Sequence, residues 1–159
     1  MKTLCTLVTF TALGITLPGL TMADNMPRVA NPLYTQECAG CHVPYPPALL
    51  PAASWNAVMD GLGNHFGSDA SLDEPTSQRL RQFLVNNASQ RTRNAATKLP
   101  LRITETRWFV HEHHEELPAG IWKNPAVKSA ANCGACHTRA AEGFFDEDDI
   151  RLPKGVTRK

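Results

Sequence analysis

Trp55, Val58, Met59 and Leu62 recur at i, i+3, i+4 and i+7, the spacing that lines one face of an α-helix. Ser54 stands where it would cap that helix. Leu80, Phe83 and Leu84 form a second apolar stripe. It follows Ser71-Leu72-Asp73-Glu74, which reads as a capping box, with Pro75 in the first turn, and the helix is expected to reach about Asn87. Asn31 and Pro32 start a short helix leading into Cys38. In the second half, Thr106 to Leu117 reads as a helix stopped by Pro118, and a further helix is expected from about Ser129 into Cys133. Between these lie a proline-rich loop (Pro44, Pro46, Pro47, Pro51) and a segment broken by Gly61, Gly63 and Gly67 around His65. No alternating run of useful length argues for strands. The expected fold class is all-α with extensive loops.

The first 23 residues follow a different pattern. Lys2 is a short positive start, Leu4 to Leu17 is apolar and uncharged, and Thr21-Met22-Ala23 offers small residues for cleavage before Asp24. A cleavable signal peptide over 1–23 is expected, and with it a periplasmic location. Cys5 lies near the start of the apolar run, where it reads as incidental. After cleavage, 15 basic residues balance 15 acidic ones, so charge does not point to nucleic acid. No further apolar run is long enough to span a membrane. Two unlike small lobes are expected, over 24–90 and 91–159. Lobes of this size rarely build an adequate core from side chains alone.

The chemistry sits in two short motifs, Cys38-Ala39-Gly40-Cys41-His42 and Cys133-Gly134-Ala135-Cys136-His137. Each is the C-x-x-C-H attachment signature of a c-type haem. Two thiols at this spacing reach the two vinyl groups of a porphyrin, and the following histidine ligates the iron as a neutral imidazole. Cys38, Cys41, Cys133 and Cys136 are all the cysteines that remain after residue 23, so no disulfide framework is left. Two covalently bound haems c would also supply the apolar surface that the lobes lack.

His42 and His137 belong to the motifs. The sixth ligands must come from His65, His111, His113, His114 or the two remaining methionines, Met26 and Met59, both in the first half. For the first haem, His65 is favoured because flanking glycines let backbone approach a porphyrin closely. Met59 is better explained by core packing with Trp55. For the second haem, periodicity leaves a choice. Val110, His114 and Leu117 share one helical face, while Phe109, His113 and Leu117 share another. A zinc site from the triplet is disfavoured because adjacent histidines on a helix diverge. The stretch 89–107 is rich in Arg91, Arg93, Lys98, Arg102 and Arg107; it reads as a solvated face, or as a source of arginines for haem propionates or an acidic partner. Asp146 to Asp149 read as an exposed acidic tail.

Further residues carry a resemblance. Tyr45-Pro46-Pro47-Ala48-Leu49-Leu50-Pro51 with Ser54-Trp55, then Gly61-Leu62 and His65-Phe66-Gly67, resemble the small bacterial dihaem cytochrome c family. So do Ile103-Thr104-Glu105-Thr106, His114 with Glu116-Leu117-Pro118, Trp122, and Val127-Lys128-Ser129 leading into Asn132-Cys133. The resemblance implies a class I cytochrome c-like amino-terminal lobe joined to a dissimilar carboxy-terminal haem lobe, with bis-histidine ligation at both irons. It favours His65 and His114 as the distal ligands. It implies a monomer that donates electrons to a monohaem cytochrome like the sphaeroides haem protein, with a membrane b-type cytochrome as donor. Trp55, Trp108 and Trp122 read as haem-packing residues.

The function expected is a periplasmic electron carrier, not an enzyme. A coordinatively full haem exchanges electrons but does not readily bind oxygen or peroxide. The alternatives are a haem enzyme whose distal histidine dissociates and a small dihaem subunit of a periplasmic oxidoreductase. Two motifs 95 residues apart in unlike lobes fit the latter poorly.

Overall fold

The computed structural model describes residues 30–90 and 99–159. The expected signal peptide, Met26, Arg91, Arg93 and Lys98 lie outside the described residues. Those described contain four α-helices, several single 3-10 turns, and only isolated β-bridges. The expectation of a helical, loop-rich fold is met.

Helix α1, Pro32–Cys38, begins where Asn31 accepts a hydrogen bond from the Tyr34 amide at 3.0 Å. Helix α2, Ala52–Asp60, starts earlier than the sequence pattern indicated. Pro51 occupies the cap position without a side-chain bond, and Ser54 lies inside the helix, buried, its Oγ without a partner. Proline fits a helix start because its φ is already set. Helix α3, Glu74–Asn86, is capped by Asp73, whose carboxylate accepts from the Thr76 amide at 3.0 Å. The cap is therefore Asp73 and not Ser71, which lies in the extended approach.

Helices α2 and α3 pack together over one apolar core. It contains Tyr34, Leu50, Trp55, Met59, Leu80, Leu84 and Ala88, with Ile103 from the later part of the chain packed against it. An ion pair from Arg81 to Asp60 at 2.7 Å joins the two helices at the surface. Both partners are substantially exposed, so it contributes little beside the apolar packing. Leu80 is fully buried. Its replacement by Ala is expected to cost about 2–5 kcal/mol, read as a lower midpoint in thermal unfolding of the haem-loaded protein.

Beyond residue 99 the chain is mostly irregular. Helix α4, Arg107–Glu116, is capped by Thr106, which accepts from the Phe109 amide at 3.2 Å. Its far end is closed by Lys159. The Lys159 amide donates to the Glu116 carbonyl at 3.0 Å, and Lys159 Nζ donates to the His114 carbonyl at 2.7 Å. These bonds satisfy carbonyls that a helix end leaves open. The expected helix from Ser129 does not form. Lys128 takes a positive φ of 69°, the Asn132 amide group donates to the Val127 carbonyl at 3.0 Å, and a 3-10 turn follows at Cys133–Ala135. A left-handed residue interrupts the helical hydrogen-bond register.

The buried apolar residues of this part are Phe109, Ile121, Val127 and Ala140. That is a much smaller core than the one under α2 and α3. The acidic tail is partly tied down: Asp149 accepts from Arg139 at 3.1 Å. No helix among the described residues is long and apolar enough to cross a membrane.

Candidate functional site

Cys38 ends α1, and Cys41 and His42 follow in the turn beyond it. His42 directs Nδ1 at the Val43 carbonyl, 2.7 Å away. If Nδ1 carries the proton, Nε2 is left as a free lone pair, the state a metal-ligating imidazole needs. The Tyr45 ring lies nearly parallel to His42, with centroids 4.5 Å apart and planes inclined by 16°.

His65 is presented by a tight turn. Its amide donates to the Ser68 carbonyl at 2.7 Å, and the Ser68 amide returns a bond at 3.1 Å. Phe66 and Gly67 between them have φ of 54° and 100°. Two successive positive φ values mark a turn of the type I′ class, for which glycine suits the second place. Phe66 bears the strain of the first. The Arg102 guanidinium covers its ring, 3.9 Å from the centroid. Gly61 and Gly63 have negative φ or neighbours at ordinary contact distance, so of the three glycines only Gly67 is required by its backbone conformation.

The turn brings His65 opposite His42. Their ring centroids are 6.2 Å apart. An iron held between two imidazoles by bonds of about 2 Å would separate the ring centres by roughly 6.3 Å. Burial, then His42 and Arg102, lower the His65 pKa, favouring the neutral ring that a metal binds. Met59 belongs to the core beneath Trp55 and Leu84.

The second cluster is built differently. The 3-10 turn carries Cys133, and the Cys136 and His137 amides both donate to the Cys133 carbonyl, at 3.2 and 2.8 Å. Returning chain pins this turn: His137 bridges to Ile150, and the Arg151 amide donates to the Cys136 carbonyl at 2.8 Å.

Opposite His137 stands His113, with ring centroids again 6.2 Å apart. The structure brings His113, rather than the expected His114, to this place. Phe109 is buried and fixes the inward face of α4. His113 follows it by four residues, on that face. Its ring stacks on Phe109 at 4.0 Å, and its Nδ1 lies 3.0 Å from the Phe109 carbonyl. His114 lies about 100° further round the helix and is exposed. His111 is exposed too and pairs with Glu115 at 3.2 Å. Burial, then the proximity of His113, push His137 down to about 4. His113 is lowered chiefly by burial. Both rings are thus held neutral.

One cleft of about 530 Å³ reaches both clusters. The four cysteines, His42, His65, His113 and His137 all line it, as do Trp55, Trp108 and Trp122. None of these four thiols is tied up in a disulfide. Burial pushes Cys38 and Cys133 up to about 11, keeping them as thiols. A flat macrocycle bonded to each cysteine pair, with its iron between the facing imidazoles, fits the residues present.

The chain matches the family model of the dihaem cytochromes c over residues 34–145. It belongs to that family. A dihaem cytochrome c from Rhodobacter sphaeroides is 44% identical, covering 74% of this chain and 98% of that one, with a TM-score of 0.67. The dihaem cytochrome c of Shewanella baltica OS155 is 39% identical, covering 81% and 98%, with a TM-score of 0.70. No curated protein matches the chain. As a dihaem cytochrome c, the protein carries two covalently bound haems c, and the family is one suited to electron transfer.

Proposed function

We propose that the chain is a periplasmic electron carrier with two low-spin, bis-histidine haems. One would be bonded to Cys38 and Cys41 and ligated by His42 and His65. The other would be bonded to Cys133 and Cys136 and ligated by His137 and His113. The observation that carries this reading is the pair of facing imidazoles in each cluster, both 6.2 Å apart. When bound, each haem supplies an iron that gains or loses one electron. The protein's part is to fill both axial positions, so that no site is left for a substrate. Stacked or packed aromatic rings hold all four imidazoles: Tyr45 on His42, Phe66 beside His65, Phe109 on His113 and Phe145 beside His137. Two imidazoles without a thioether favour a lower potential than histidine–methionine ligation.

The two imidazole pairs differ in interplanar angle, 33° at the first site and 65° at the second. Low-temperature EPR of the oxidised protein is expected to show two low-spin signals of different anisotropy. A high-spin signal at full haem loading, or a methionine–iron band near the red edge of the visible spectrum, would overturn the ligand set. Mass spectrometry should give two haem additions to a chain beginning near Asp24, as export with removal of 1–23 requires.

The Arg102 charge over Phe66, beside His65, favours the reduced state of the first haem, which carries one positive charge fewer. Arg102→Gln is expected to lower that haem's potential by tens of millivolts in spectroelectrochemical titration, with the second haem changed less. For partners we propose a monohaem cytochrome like the sphaeroides haem protein as acceptor and a membrane b-type cytochrome as donor, with the chain acting as a monomer. Stopped-flow mixing of the reduced protein with such a monohaem cytochrome tests the acceptor; absence of electron transfer would remove it.

A further inference from the structure

We propose that Tyr45 is a positioning residue that ties the His42 side of the first haem site to the attachment loop of the second, fixing the geometry across which the two haems exchange electrons. The inference rests on the haem assignments above and concerns how the two sites are held together.

Tyr45 is engaged at both ends. Its ring lies against the His42 imidazole at 4.5 Å and 16°. Its hydroxyl donates to the Ala131 carbonyl at 2.8 Å, across a sequence separation of 86 residues. Ala131 lies two positions before Cys133. The same carbonyl stands 3.8 Å from the Cys133 thiol. The phenol thus reaches from the face of one iron ligand to the backbone beside a thioether position of the other site.

The backbone of Tyr45 is fixed as well. The buried Tyr34 hydroxyl donates to the Tyr45 carbonyl at 3.0 Å. Pro44 and Pro46 on either side are buried and restrict the chain further. A residue held by its backbone, its ring and its hydroxyl has little freedom to shift one site against the other.

A loop residue that merely filled space would need the ring alone. Phenylalanine would stack as well on His42 and bury slightly more apolar surface. The hydroxyl adds a directed bond to one carbonyl, and that bond sets register between two parts of the chain that share no helix. No proton moves and Tyr45 is not oxidised. In the exchange, one iron loses an electron and the other gains it.

Two variants of the holoprotein separate the roles. Tyr45→Phe keeps the stacked ring and removes the bond to Ala131. It is expected to leave the EPR g-values of the first haem in place and to slow inter-haem exchange several-fold, measured by NMR exchange spectroscopy on the half-reduced protein. Tyr45→Leu removes both contacts, and should also shift the first haem's g-values as the His42 ring turns. An unchanged exchange rate in Tyr45→Phe would overturn the tie, whether or not Tyr45→Leu loads haem. Unchanged g-values in a loaded Tyr45→Leu would overturn the hold on His42. Failure of the haem assignments would appear separately, as the wrong spectrum in the unmutated protein.

Discussion

His113→Ala is expected to convert one of the two haems from low-spin to high-spin and to let it bind carbon monoxide when reduced. His114→Ala should leave both haems low-spin. The difference follows from helical geometry. Phe109 is buried, His113 lies one turn beyond it, and the His113 ring is 6.2 Å from His137. His114 faces solvent, and its backbone carbonyl, unaffected by the substitution, is what Lys159 engages. Loss of an axial imidazole leaves an iron with five ligands, and a five-coordinate ferrous haem takes a small neutral ligand readily. The EPR spectrum of the oxidised variant and the Soret shift under carbon monoxide would both report the change. If His114→Ala opened the site and His113→Ala did not, α4 would have to be rotated by about 100° from its present face.

Replacing Cys133 and Cys136 together with Ala should unfold the chain beyond residue 99 while the first haem site stays folded. The core under α2 and α3 has seven buried apolar residues; the second part has Phe109, Ile121, Val127 and Ala140, of which two are small. So little apolar area does not offset the chain entropy of some sixty ordered residues. A macrocycle bound in the cleft lined by Trp122, Phe109 and Phe145 would supply the missing contact surface. Hydrogen exchange would show the result: amides of α3 protected and amides of α4 exchanging freely. A variant that still protected α4 would mean the polypeptide alone stabilises this region. The matching change at Cys38 and Cys41 should be milder, since Leu80, Leu84, Tyr34 and Leu50 remain packed.

Much of this was legible in the sequence, for identifiable reasons. Helix α1 announced itself by its cap Asn31 and Pro32, and α3 by Pro75 and its apolar stripe, although its cap proved to be Asp73 rather than Ser71. The attachment motifs needed only their spacing. His65 was favoured for its flanking glycines and by the family resemblance, and the structure sets its ring opposite His42. The start of α2 was misplaced because Ser54 resembles a cap, whereas Pro51 begins the helix without a side-chain bond. The segment from about Ser129 into Cys133 was expected to be helical, but Lys128 adopts a left-handed conformation that interrupts the helical register. Among the histidines of α4 the apolar pattern was ambiguous, with both Val110 and Phe109 marking a possible inner face. Phe109 is buried while Val110 is 48% exposed, and that decides which histidine turns inward. The larger ring, able to stack on an imidazole four residues later, was the signal that pattern alone did not weigh. Tyr45 was visible only as part of a motif, because its partner at Ala131 is too far along the chain for any local pattern to reveal.

The closure of α4 by Lys159 makes that residue part of the scaffold that positions His113. The loop between Glu116 and Lys159 contains the whole second attachment motif. Closing a loop of that length costs entropy before the enclosed contacts repay it. The first site needs no such closure, since His42 and His65 lie 23 residues apart within one compact unit. The second site should therefore settle after the first, because α4 depends on contacts from Lys159, 43 residues beyond Glu116. Removal of Lys159 by a carboxypeptidase should then loosen the last turn of α4, and with it the placement of His113, leaving the first site unaffected.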